Sequence, residues 1–213
     1  MPLDVTLIES TSADFPAALR HAPSTEPISQ VWAIGNLALL NMPLLGLFCS
    51  TRCPGNIILR TYDLALALRE AGVPVVSGFH TPMERECLDV LLRGQQPVVL
   101  CPARGIHKMR APAAWRQPLA KNRLLILSPF AAPYRRPTTE IAEQRNRFVA
   151  ALADTIFVAH AAPGSKTARL CIELMALGKR LYTLDLAENA SLMQHGVIGT
   201  AQATLVEAAR HSA

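Results

Sequence analysis

Six short apolar runs recur along the chain, at residues 44–49, 73–77, 97–101, 124–127, 155–159 and 181–184. None alternates strictly between apolar and polar residues. A strand with one wet face alternates, whereas a strand covered on both faces does not. Helical segments separate several of the runs. In residues 57–71, Ile58, Tyr62, Ala65 and Leu66 share one face, and Gly72 supplies a C-terminal stop. Thr81-Pro82-Met83-Glu84 combines an N-cap, a proline in the first turn and a glutamate three residues after the cap, opening a helix that buries Met83, Cys87, Val90 and Leu91. Residues 138–153 align Ile141, Phe148 and Leu152, and residues 165–177 align Leu170, Cys171 and Leu174. Strands and helices alternating at this spacing predict an α/β fold: one doubly wound, mostly parallel, Rossmann-like sheet in a single domain. Residues 1–27 are polar and irregular and are expected to form an N-terminal arm to a domain spanning 28–213. Within that domain, residues 28–40 carry apolar side chains at helical spacing, with Pro43 as a stop.

Half of the 213 residues are apolar and 17% are charged, which supports a packed core and excludes general disorder. Aromatic residues make up only 5%, which argues against a module built mainly from stacked aromatic platforms. The five cysteines, with no leader-like pattern at Met1-Pro2-Leu3-Asp4, predict free thiols in a reducing cytoplasm. Residues 27–51 carry no charge, but Asn36, Asn41, Pro43 and two glycines interrupt them, so no membrane span is expected.

Charge is concentrated. Residues 104–147 hold 10 Lys/Arg against 2 Asp/Glu, whereas residues 1–103 hold 6 against 9 and residues 148–213 hold 5 against 5. One central segment therefore supplies the whole net charge of +5 and favours a polyanionic partner, such as nucleic acid or a phosphorylated ligand.

In an open parallel sheet, ligands bind beyond the carboxyl ends of the strands. That directs attention to residues 50–56, 78–81, 102–109, 128–137 and 160–165. The candidate anion-binding residues are Ser50, Arg52, Ser77, Gly78, Arg104, Gly164, Ser165, Lys166 and Thr167, together with the triplet Arg145-Asn146-Arg147. Gly164-Ser165-Lys166-Thr167 is not a Walker A loop, because Ser165 and His160 stand where that motif needs glycine. Lys166 at a helix start can still touch a phosphate. No GxGxxG occurs, which disfavours a dinucleotide oxidoreductase. Cys49 and Cys53 have metal-ligand spacing but no second pair, so buried free thiols and no metal site are expected. His80 and His160 follow strands and are expected to be satisfied by neighbouring polar groups, and Glu84 to cap a helix in preference to acting as a base. Arg145 falls on the apolar stripe of Ile141 and Phe148, so it must be paired, snorkel outwards or reach a ligand.

The order of these motifs resembles the Rossmann-like core of the DNA-processing protein A (DprA, or Smf) family, from about Ile34 to Thr183. The resemblance rests on Gly35-Asn36-Leu37, on residues 45–52 (Leu-Gly-Leu-Phe-Cys-Ser-Thr-Arg) with Arg52 matching the family's arginine, and on Ser77-Gly78. It also rests on residues 145–152 (Arg-Asn-Arg-Phe-Val-Ala-Ala-Leu) and on Gly164-Ser165 with Thr167-Ala168. After Ser77-Gly78 the chain departs from the family motif, with Glu84 standing where the aspartate would be. The resemblance implies single-stranded DNA binding, homodimerisation and loading of a recombinase; no cofactor is expected. It also implies alternatives in the same fold: a sensor of a nucleotide or nucleotide-derived ligand, or a phosphoribohydrolase-like enzyme. Residues 162–167 lack the glycine run and glutamate of that enzyme class, which favours binding over catalysis.

Overall fold

The computed structural model describes residues 3–20, 27–132 and 138–210. Among the described residues the strands are β1 (Thr6–Glu9), β2 (Gln30–Gly35), β3 (Leu45–Cys49), β4 (Val75–Ser77), β5 (Val98–Leu100), β6 (Leu124–Ser128), β7 (Thr155–His160), β8 (Leu181–Leu184) and β9 (Ile198–Thr200). The helices are α1 (Ala17–Arg20), α2 (Gly55–Glu70), α3 (Pro82–Leu92), α4 (Ala113–Ala120), α5 (Thr139–Leu152), α6 (Lys166–Ala176), α7 (Ala190–Gln194) and α8 (Gln202–Arg210). The strands form one sheet in the order β1-β2-β6-β5-β4-β3-β7-β8-β9. Only the β1–β2 and β2–β6 pairings are antiparallel. From β3 the chain winds outwards through β4, β5 and β6, then crosses back to β7 on the other flank of β3.

All six apolar runs are strands, and each is buried on both faces. Side chains at alternate positions feed two cores. Phe48, Val76, Val99, Leu125 and Val158 meet Phe148 and Val149 of α5 and Leu170 and Leu174 of α6 on one side. Leu47, Val75, Val98, Ile126 and Phe157 meet Leu64 and Leu68 of α2, Leu91 of α3 and Leu205 of α8 on the other. Each fully buried side chain of this size contributes about 1.5–3 kcal/mol relative to exposure, so the central strands anchor the edge that carries the loops.

Three local expectations are corrected. Residues 28–40 are not one helix: they contain β2 and a short 3-10 turn, Leu37–Asn41. Val31 and Ala33 enter one core while Ile34 and Trp32 face the other, and a strand apolar on both faces mimics a helical stripe. The arm over residues 1–27 contributes β1, paired with β2, and α1, whose Leu19 is buried with Phe15. Helix α2 presents Ile57, Leu64, Ala65 and Leu68 inwards and leaves Ile58 and Tyr62 exposed. Thr61 sits in its true buried stripe, and that hydroxyl breaks the apolar pattern. No helix among the described residues is long and apolar enough to cross a membrane.

Candidate functional site

The strand order reverses at β3 and β7, and that is where a doubly wound sheet opens a crevice. Cys49 and His160 are register partners there, just after a bulge, and the Ser50 N–H donates to the His160 carbonyl at 2.9 Å. The Ser50 hydroxyl then meets Ser165 Oγ at 3.2 Å and accepts the Ala162 N–H at 3.2 Å. Ser165 is the N-cap of α6, accepting the Ala168 N–H at 3.1 Å. Gly164 before it has φ +71°, a left-handed turn that lets the chain reverse into the helix. Residues from the two sides of the reversal thus converge: Ser50 with Gly164 and Ser165. Lys166 follows at the helix start with its ammonium 3.5 Å from Glu143, and its side chain is half exposed. Thr167 is partly buried in the first turn. Arg52, beyond Ser50, is exposed and makes no ion pair among the described residues.

The neighbouring strand end is closed internally. Ser77 is fully buried; its hydroxyl donates to the Leu47 carbonyl at 2.7 Å and accepts the Phe79 N–H at 3.2 Å. Ser128 repeats the arrangement at the end of β6, donating to the Arg104 carbonyl and accepting the Phe130 N–H. Both hydroxyls hold strand ends, so the direct anion contact expected of Ser77 is not available from its side chain. Glu84 completes the capping box with Thr81 and reaches further: Oε2 accepts the His80 and Thr81 N–H groups, and Oε1 accepts the Cys49 N–H at 3.0 Å. One carboxylate therefore pins the end of β3 to the start of α3. The cap is legible in the sequence; the reach to Cys49 carries no local signal.

The arginine triplet separates. Arg145 is 3% exposed; Nη1 donates to the Cys101 carbonyl at 3.1 Å and Nε to Asn146 Oδ1 at 2.8 Å. Among the described residues no carboxylate lies within ion-pair distance. Burial lowers its pKa from the usual guanidinium value, and the Glu84 charge opposes that. Gly78 lies directly beneath this guanidinium, so the close approach that the glycine permits is made by a protein side chain. Arg147 points away and grips Glu173 of α6 through two bonds of 2.6 and 3.0 Å, which raises its pKa. That pair ties α5 to α6 and is not part of the crevice, which corrects the placement of Arg147 in the anion site.

His160 is buried, with Nδ1 3.0 Å from Asn189 Oδ1; the Asn189 amide in turn donates to Thr183 Oγ1 and the Ala159 carbonyl. Asn189, buried in a short turn after β8, organises this corner and left no sequence signal. His80 is exposed, and partial burial together with Arg145 and Arg85 holds its pKa below the ordinary imidazole value. The five cysteines are free, and no group of three or more potential metal ligands occurs among the described residues.

The basic segment continues along the same carboxyl edge. Arg104, Lys108 and Arg110, in the loop after β5, are exposed and make no ion pair among the described residues. Arg135 and Arg136, and with them half of the loop expected at residues 128–137, lie outside the described residues.

Comparison with known proteins places this architecture. The fold matches DNA processing protein A from Streptococcus pneumoniae with a TM-score of 0.80 and 20% identity, covering 96% of this chain and 74% of that one. It also matches DNA processing protein A from Helicobacter pylori, whose structure is described with a unique single-stranded DNA binding mode, with a TM-score of 0.77, 20% identity and 97% of each chain covered. The molybdenum cofactor binding protein of Rippkaea orientalis is a looser neighbour at a TM-score of 0.53 and 12% identity, over 78% of this chain and 94% of that one. No curated protein sequence matches the chain. Residues 6–211 match the model of the DNA recombination-mediator protein A family, and the chain belongs to that family.

Proposed function

We propose that this chain binds single-stranded DNA along the carboxyl edge of its sheet and acts in DNA processing without catalysing a reaction of its own. The observation that carries the reading is the set of exposed cations without an ion pair among the described residues (Arg52 after β3; Arg104, Lys108 and Arg110 after β5) on the edge where a doubly wound sheet takes its ligand. Such side chains contact phosphates, so they position a strand without selecting its sequence. Ser50, Gly164 and Ser165 at the start of α6 offer a second anchor, with Lys166 beside it able to exchange Glu143 for a phosphate. The buried charge of Arg145, with no carboxylate in ion-pair reach among the described residues, adds positive potential behind the edge. Family membership supports the same role, and the Helicobacter pylori relative is described as a single-stranded DNA binder. Homodimerisation, delivery of the strand to a recombinase and a cytoplasmic setting belong to this proposal as its biological frame.

The test is competition. A labelled oligothymidylate bound to the protein should be displaced by unlabelled oligonucleotide and resist a large excess of mononucleotides. Displacement by one mononucleotide at low concentration would replace this reading with the nucleotide-sensor alternative.

A further inference from the structure

The chain has two tryptophans, Trp32 and Trp115, both partly buried against the core; Trp115 lies within the basic segment and Trp32 meets it through His107. Trp115 is in the first turn of α4, directly after that loop. Trp32 is on β2, register partner of Ser128 at the carboxyl end of β6, and therefore stands at the edge proposed to carry DNA. Its ring is partly buried over the core, and it meets the exposed imidazole of His107 at a centroid distance of 5.4 Å and an angle of 59°. Leu7, directly opposite Trp32 across the β1–β2 pairing, is 47% exposed. An apolar side chain left so open beside a half-covered indole makes a wet apolar floor at the sheet edge.

Arg104, Lys108 and Arg110 lie within three residues of His107, hence at most roughly 10 Å along the chain. Unpaired cations around an aromatic floor are what a single strand needs: cations for the backbone and a π-face for the bases. A duplex hides its base faces, and a mononucleotide gains little from a track of cations.

We propose that Trp32 and His107 form a base-stacking subsite on which one nucleotide of bound single-stranded DNA rests, with Leu7 as its apolar border. This subsite rests on the single-stranded DNA reading and adds to it a stacking contact that phosphate-binding residues cannot supply. The base packs against the indole, and the exposed imidazole covers it or is displaced.

The test uses the full chain carrying Trp115→Phe, which leaves Trp32 as its single tryptophan. Binding of a labelled oligothymidylate is followed by anisotropy while Trp32 emission is recorded in parallel. Trp32 emission is expected to be quenched to saturation at the same protein-to-oligonucleotide ratio as the anisotropy change, and to stay unchanged with a duplex. Trp32→Leu should weaken oligonucleotide binding about tenfold, Trp32→Phe should retain most of it, and His107→Ala, at an exposed loop position, should weaken it to a smaller extent. Circular dichroism checks the fold of each variant; if Trp32→Leu does not fold, the emission change and His107→Ala decide. Anisotropy that reports binding while Trp32 emission stays constant and these variants bind like the parent overturns the stacking subsite and leaves the DNA reading intact. Absence of any oligonucleotide binding at low salt overturns both.

Discussion

A side chain at residue 78 would collide with the guanidinium of Arg145, which occupies the space that Gly78 leaves open. Arg145 can bond to the Cys101 carbonyl only because Gly78 yields that space. Gly78→Ala must therefore displace the guanidinium, and it should destabilise the protein by about 1–3 kcal/mol. In an Arg145→Ala background the same substitution should cost far less, because the space is then vacant. Urea denaturation of the two single variants and the double variant checks this; additive losses would contradict the coupling.

Ser165 joins helix capping to the crevice. Ser165→Ala removes the cap of α6 and the partner of Ser50, and should lower stability by about 1 kcal/mol. Glycine at the same position should recover most of that loss, since glycine is itself tolerated at N-caps. Thermal melts of the three proteins give the comparison.

His80 should titrate below 6.5, the ordinary imidazole value, because partial burial, Arg145 and Arg85 all oppose its protonation. Between its folded-state midpoint and pH 6.5 the unfolded chain binds more protons, so the stability His80 contributes is present above pH 6.5 and is lost as pH falls through that window. An NMR titration of the His80 ring measures the midpoint directly. A midpoint at or above 6.5 would contradict this arrangement of charges around the ring.

Among the cysteines, Cys53 should react first with an alkylating reagent. A hydrogen bond with Cys49 lowers its pKa and its side chain is only partly buried, whereas burial pushes Cys101 and Cys171 up to about 12. Cys49 and Cys87 are raised as well, Cys49 chiefly by the same hydrogen bond and Cys87 by burial. Peptide mapping by mass spectrometry after brief alkylation identifies the order.

The central sheet was legible in the sequence because β3 to β8 are buried on both faces and so read as unbroken apolar runs. β2 also sends apolar side chains to both faces, though Trp32 is only partly buried, and its flanking Ile28 and Leu37 extend the run into an apparent helix. β9 escaped notice because its three residues lie at an edge and are largely exposed. Helix α4 was hidden by Pro118 within it. For the site, local signals succeeded: the Thr81–Glu84 box and the Ser165 cap are where the sequence puts them. Contacts between distant segments were not legible. Nothing near Gly78 announces Arg145, and nothing near Arg147 announces Glu173, because only the packing of α5 brings those pairs together. The triplet therefore looked like one site and divides into a buried charge and an inter-helix clamp.

The salt dependence of oligonucleotide binding tests the central claim most directly. Each phosphate neutralised on a single strand contributes about −0.7 to the slope of log K against log salt concentration. If the carboxyl edge carries the strand through Arg52 and Arg104, the parent should show a steep slope, and Arg52→Ala and Arg104→Ala should each make it shallower by about 0.7 with the fold unchanged. A flat slope for the parent, or parent-like slopes in both variants, would contradict the assignment of this edge to single-stranded DNA.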